Sequence, residues 1–319
     1  TKAGDDGIML WHAGEGWFVG PAANLGQARG RVSVIDGCLR PEASTVTWDV
    51  QDGTAFVNAP ELRCLAGDAL AAEIAKAAPQ IALVGPTPQN LLSDESSGGG
   101  DGGEEGGGGE AGRLEARAAE LGVFLKRDEL VNGYPSYTKT DDDSTMLWHA
   151  GGCWIIGAAA DLGQNRGWVS VDDGCLRPEA STVTWRVGDG PSFVDAPELR
   201  CLAGGALAAE RAKAAPKIAL VGPTEENEQA DKIRVFTKRQ ELVNGYAAYE
   251  KRGWMSTTML WHAGQHWFFG AAAELGQNRG WASLSDGCLR PEASSGTWQV
   301  PLPGGGWRDA PELRCRQDT

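Results

Sequence analysis

Cysteines, histidines and carboxylates are the side chains here that could carry chemistry, and most recur at fixed places. Of the seven cysteines, six fall into pairs: Cys38 with Cys64, Cys175 with Cys201, and Cys288 with Cys315, separated by 26, 26 and 27 positions. Equal spacing suggests one disulfide per pair, each adding roughly 3–4 kcal/mol in the chain-entropy model. The competing reading is buried thiols kept reduced, which duplication alone would repeat. Zinc is not expected, because there is no close Cys-x-x-Cys pair and two thiolates leave a site short of ligands. Cys153 has no counterpart and reads as a free surface thiol.

His12, His149 and His262 recur, each directly after a tryptophan. Catalysis would need convergent partners. The shared acids are Asp36, Asp173 and Asp286, which sit in Asp-Gly turns for a local backbone reason, and Glu42, Glu179 and Glu292, which follow a proline. The histidines therefore read as structural or surface residues. The acidic runs Asp5-Asp6 and Asp141-Asp142-Asp143 have Lys251-Arg252-Gly253-Trp254 in their place further on. They read as solvated loops rather than a shared calcium site. Val84-Gly85-Pro86 and Val221-Gly222-Pro223 lack the Gly-Lys-Ser/Thr ending of a phosphate loop. No catalytic, cofactor or metal site is expected.

What positions these residues is a stretch written three times. It starts at Met9-Leu10-Trp11-His12-Ala13-Gly14, at Met146-Leu147-Trp148-His149-Ala150-Gly151 and at Met259-Leu260-Trp261-His262-Ala263-Gly264. The first two starts lie 137 positions apart and the last two 113, which suits tandem globular units better than a solenoid. Each copy predicts a hairpin around a Gly-containing tip, with Trp11 and Trp17 as cross-strand or near-diagonal neighbours. Half-buried strands follow, such as Val169-Ser170-Val171, then an Asp-Gly turn, a Leu-Arg-Pro corner and a strand carrying Trp48, Trp185 or Trp298. Each copy closes on Ala-Pro-Glu-Leu-Arg-Cys.

Between copies, Asp68–Ala78 and Ala206–Ala215 are Ala-rich helix formers stopped by Pro79 and Pro216. Each leads into a short strand, Ile81–Val84 or Ile218–Val221. Residues 96–112 are a Gly/Glu tract that reads as a flexible linker. The expected fold is mainly β: three tandem small antiparallel β-barrel or sandwich domains joined by short Ala-rich helices. The boundaries read as 1–64, 123–201 and 233–319 for the repeat domains. Residues 65–122 and 202–232 read as connectors. The first copy lacks the lead-in Val131-Asn132-Gly133-Tyr134 of the second, so the chain reads as starting mid-unit in a longer array, with any targeting signal upstream.

Tryptophan is abundant, at 13 residues. Those in every copy read as core. Trp168, Trp254, Trp281 and Trp307 occur in only some copies and read as partner contacts. The net charge of −14 disfavours nucleic acid, and no apolar run reaches the roughly 20 residues that span a bilayer.

The succession Val131-Asn132-Gly133-Tyr134, Leu147-Trp148, Trp154-Ile155-Ile156-Gly157, Gly167-Trp168, Pro178 and Trp185 resembles a tandem Trp/Gly-rich module of uncharacterised repeat proteins of algae and other protists. Val243-Asn244-Gly245-Tyr246 repeats the lead-in. The resemblance implies no reaction. The reading that follows is a non-enzymatic structural or bridging protein making protein–protein contacts in a larger assembly. A lumenal accessory subunit of an algal photosynthetic membrane complex is one setting it would fit. The alternative is a carbohydrate-binding protein of the cell surface or wall that uses exposed tryptophans. Disulfides would place the chain in an organelle lumen, such as the thylakoid, or outside the cell.

Overall fold

A computed structural model describes residues 7–85, 121–189, 192–222, 235–253, 256–285, 287–294, 296–302 and 305–318. The Gly/Glu tract, Asp5-Asp6, Trp254 and Asp286 lie outside them. The fold is mainly β, in three antiparallel sheets.

The first sheet runs in chain order: β1 (Ile8–Ala13), β2 (Gly16–Pro21), β3 (Val32–Ile35), β4 (Trp48–Asp52) and β5 (Ala55–Ala59). Helix α1 (Gly67–Ala75) follows. The second sheet has nine strands: β6 (Gln80–Val84), β7 (Gly122–Lys126), β8 (Tyr137–Lys139), β9 (Asp142–Ala150), β10 (Cys153–Ala158), β11 (Val169–Asp172), β12 (Trp185–Asp189), β13 (Ser192–Ala196) and β14 (Arg200–Ala203). They pair in order from β13 back to β6, and β14 then adds to the far side of β6. After helix α2 (Gly204–Ala212), the third sheet repeats this order with β15 (Lys217–Val221), β16 (Val235–Lys238), β17 (Tyr249–Arg252), β18 (Thr257–Ala263), β19 (His266–Ala271), β20 (Ala282–Ser285), β21 (Trp298–Pro301), β22 (Trp307–Ala310) and β23 (Arg314–Gln317). Each nine-stranded sheet curls into a half-barrel.

Strands β6 and β15, read from sequence within connectors, are thus interior strands of their sheets. The run Ile81-Ala82-Leu83 explains why. Successive side chains point to opposite faces. Ile81 and Leu83 enter the core of the second sheet, whereas Ala82 joins Val123 in the core of the third. A strand covered on both faces is apolar throughout. The matching residues on the third sheet, Ala219 and Val235, are half-buried and exposed.

The hairpin register corrects one expectation. Trp11 lies opposite Phe18, and His12 opposite Trp17, so the two tryptophans point to opposite faces. Trp148 opposes Ile155 and His149 opposes Trp154 in the same way. Trp154 therefore fills the concave core, and Trp148 packs with Ala150 and Ile155 in a smaller cluster on the other face. Both kinds of indole N–H reach a loop carbonyl: Trp148 Nε1 donates to Gln164 O at 2.8 Å and Trp154 Nε1 to Cys175 O at 3.0 Å. The other copies make the same bonds.

Candidate functional site

The disulfide expectation is corrected: no disulfide joins the paired cysteines, whose positions are not close. Backbone geometry accounts for the first cysteine of each pair without a bridge. Cys175 N–H donates to Asp173 Oδ1 at 2.8 Å, closing the Asp-Gly turn, and its carbonyl receives Trp154. Cys38 makes the same two contacts. In the second and third copies the second cysteine lies on the closing strand, where Cys201 pairs with Leu83 and Cys315 with Leu220; Cys64 lies outside any strand. Burial pushes the Cys175 thiol up to about 11 and the Cys201 and Cys315 thiols above their ordinary value. These thiols stay protonated at neutral pH and are poor nucleophiles. The compartment reading rested on the bridges and goes no further.

Two of the three repeated histidines, His149 and His262, are enclosed. The lead-in places Asn132 and Asn244 in the left-handed region, at φ 52° and 51°. Asn tolerates this conformation because its short side chain bonds locally. Asn132 Nδ2 donates to His149 O and Gly163 O, both at 3.0 Å, tying lead-in, hairpin and the following turn together. Asn244 repeats this on His262 O and Gly276 O. The next tyrosine then stacks on the histidine, with ring centroids 3.8 Å apart for Tyr134–His149 and for Tyr246–His262. Trp154 and Trp267 flank each stacked pair edge-on, meeting both the tyrosine and the histidine. His149 and His262 are wholly buried; His12 meets Trp17 edge-on and is half-buried.

The most developed polar arrangement lies where the second sheet meets the third. His262 Nδ1 is 2.8 Å from Asp141 Oδ2, with both side chains almost fully buried. Lys139, also buried, donates to Gly264 O at 3.1 Å. Thr140 Oγ1 donates to Asn244 O at 2.9 Å, and Val123 N–H to Tyr246 Oη at 3.1 Å. Arg211 Nη2, on α2, donates to Gln80 Oε1 at 2.8 Å. Gly122 keeps this joint tight, since a Cβ there would overlap the Tyr246 hydroxyl. Burial, with Asp141 close by, pushes the Tyr246 hydroxyl well above its ordinary range, so it stays a neutral acceptor for Val123. Burial also lowers the pKa of His266, helped by His262 and Lys139. Asp141, read as part of a solvated loop, is thus a buried partner of a histidine 121 positions away.

The Leu-Arg-Pro-Glu corner works against the helix–strand segment ahead of each nine-stranded sheet. Glu179 Oε1 accepts from Ala78 N–H at 3.1 Å and Glu292 Oε1 from Ala215 N–H at 2.8 Å. Arg177 faces Glu73 at 3.5 Å, and Arg290 faces Glu210 at 3.6 Å.

Among the tryptophans read as partner contacts, Trp168 and Trp281 are half-buried, each packed on the core of its own sheet. Trp281 meets Phe269 edge-on. Trp168 also lines an open cleft of about 500 Å³ with Asp161, Asn165, Arg166 and Arg186. Trp307, on β22, is 45% exposed. Among the described residues no cluster of three His, Cys, Asp or Glu could hold a metal ion, and no helix is long and apolar enough to cross a membrane. No protein-family model, curated protein or solved structure matches this chain.

Proposed function

We propose that this chain is a non-enzymatic bridging protein that holds repeat domains in fixed relation and presents their loops to other proteins. In this reading it comprises three tandem β domains joined through α1 and α2. One observation carries it: the buried joint formed by Asp141, Lys139, His262 and Tyr246. Removing polar groups from water is costly unless they are paired. A joint whose buried polar groups meet across two sheets therefore favours one relative placement. Fixed spacing of like domains suits simultaneous contacts, which raise effective concentration. The burial of His149 and His262 against aromatic rings supports a structural role for them rather than acid–base work on a substrate. Similarity to the algal and protist module, and membership of a large photosynthetic assembly, remain part of this proposal.

Cross-linking mass spectrometry of the protein in its native assembly tests the reading. Cross-links from the described sheets to other polypeptides are expected. Migration as a monomer with no cross-links to other polypeptides would count against it.

A second reading, sugar binding, is favoured by the cleft beside Trp168, where an indole adjoins carboxylate, amide and guanidinium groups. Binding on a glycan array that is lost in Trp168→Ala would support it. A blank array would remove it.

A further inference from the structure

The cleft beside Trp168 lies on the face of the second sheet that points away from its concave core. Ile155, Ser170 and Arg186 lie opposite one another on β10, β11 and β12, so they share that face with Trp148. Two residues along, the Gly188 N–H donates to Trp168 O at 2.6 Å, and Gly188 lies opposite Phe193 on β13. A Cβ at Gly188 would stand 3.8 Å from the Phe193 ring. With no side chain there, the floor stays open between two aromatic residues that both line the cleft. Its volume of about 500 Å³ falls among those of small-ligand sites, about 300–1,000 Å³. The Trp168 N–H is bonded to Ile156 O within the sheet. Recognition on this floor therefore falls to side chains, which suits a sugar better than an extended peptide.

The charges of the cleft are unevenly matched. Arg166 faces Asp161 at 3.5 Å with 72% of its side chain exposed, a pair that water largely offsets. Arg186 lies over the Phe193 ring, 6.0 Å from its centroid. Among the described residues it pairs with no carboxylate, although Asp195 is opposite it in register. The other copies lack this combination. Where the second has Trp168, Arg186, Gly188 and Phe193, the third has Trp281, Gln299, Pro301 and Trp307, and the first has Arg31, Asp49, Gln51 and Phe56. In the third, Gln299 Nε2 donates to Asp309 Oδ1 at 3.0 Å, the cross-strand bond that Arg186 does not make.

We propose that this cleft binds a saccharide carrying a carboxylate, a uronate. The inference rests on the sugar-binding reading above and names the sugar's class. The C–H face of the ring packs on Trp168 and Phe193 over Gly188, drawn by the negative face of the aromatic rings. The carboxylate takes paired N–H bonds from the planar guanidinium of Arg186. Asn165 and Asp161 meet the ring hydroxyls. The chain's net charge of −14 does not prevent this. At physiological salt, charges more than about 8 Å away are largely screened, and within the cleft two arginines face one aspartate.

Isothermal titration of the full chain with galacturonate and mannuronate trisaccharides, and with their methyl esters, tests it. The titration is run at physiological salt with a chelator, so that calcium cannot bridge ligand and protein. Saturable one-to-one binding of one of the acids is expected, with its ester at least tenfold weaker. Arg186→Gln, which installs the residue of the third copy, brings the acid down to the ester and leaves the ester within twofold. Trp168→Ala abolishes binding of both. Gly188→Gln, the residue of the first copy, abolishes it by filling the floor while every contact residue stays in place. The proposal is overturned by an ester that binds as well as its acid, or by acid binding that Arg186→Gln or Trp168→Ala leaves within twofold. Binding of neutral sugars at Trp168 without a preference for acids would remove the uronate and leave the sugar-binding reading standing. No binding of acid, ester or neutral sugar would remove both.

Discussion

Leu10, Trp17 and Leu62 have the same chemistry as Leu147, Trp154 and Leu199, yet they live in different solvents. In the second sheet these side chains meet four further strands and are dry. In the first sheet Leu10 and Leu62 face water, and the strand order among described residues stops at β1. Identical sequence therefore does not carry identical energy. A buried leucine or tryptophan stabilises by the apolar area it removes from water, and that area depends on neighbours the local motif does not contain. The third sheet shows the reverse asymmetry: its concave face is full, while Val235 on its outer face is exposed where Val123 is covered.

Aromatic truncation should break the comparison most visibly. Trp154→Ala and Trp267→Ala empty enclosed positions and are expected to cost about 3–5 kcal/mol each. Trp17→Ala should cost well under half of that, because solvent already reaches the ring. Denaturant unfolding of the three variants checks this, and equal losses would contradict the open first sheet. At the joint, Asp141→Ala leaves His262 Nδ1 buried without its acceptor. A loss of about 1–3 kcal/mol is expected, with faster amide exchange in both nine-stranded sheets and little change in the first.

Thiol reactivity sharpens the contrast next. Cys175, Cys201 and Cys315 are half-buried and raised, so alkylation of the native protein at pH 8 should be far slower than in denaturant. Cys38, raised mainly by the hydrogen bond to Asp36, sits in a more exposed turn and should react first among the repeated thiols. Comparable rates at all four would count against the packing described.

The smallest effect is titration at the joint. Burial lowers His266 below its ordinary value of 6.5. The unfolded chain then takes up this proton at higher pH than the folded chain does. The stability it contributes is complete above about pH 6.5 and declines as the pH falls below it. Melting temperature should drop between pH 7 and 5, less steeply in His266→Gln. An identical slope in the variant would assign the loss to other groups.

Much of the fold was legible because it is local. Gly-tipped hairpins, Asp-Gly turns and apolar alternation announce strands within a few residues of one another, and the Ala-rich segments announce helices. The faces of Trp11 and Trp17 were misread because the five residues between them place them one register step apart, not opposite. The cysteine spacing misled because duplication repeats any distance, whatever the reason for each residue. The joint was not legible. Asp141 and His262 are 121 positions apart, and Ala78 and Glu179 are 101. Nothing near Asp141 distinguishes it from Asp142 and Asp143 beside it. The one available signal was the replacement of the acidic run by Lys251-Arg252-Gly253 in the third copy.

Hydrogen exchange on the intact, unliganded chain tests the central contrast most directly. The closing segments of the three copies, Arg63–Ala66, Arg200–Ala203 and Arg314–Gln317, should be followed together. Strong protection at Arg200–Ala203 and Arg314–Gln317, with exchange near the unstructured rate at Arg63–Ala66, is the expected result, since only the last two pair with a strand. Equal protection at all three would show that the first sheet is already covered, and would contradict an open first sheet beside two closed ones.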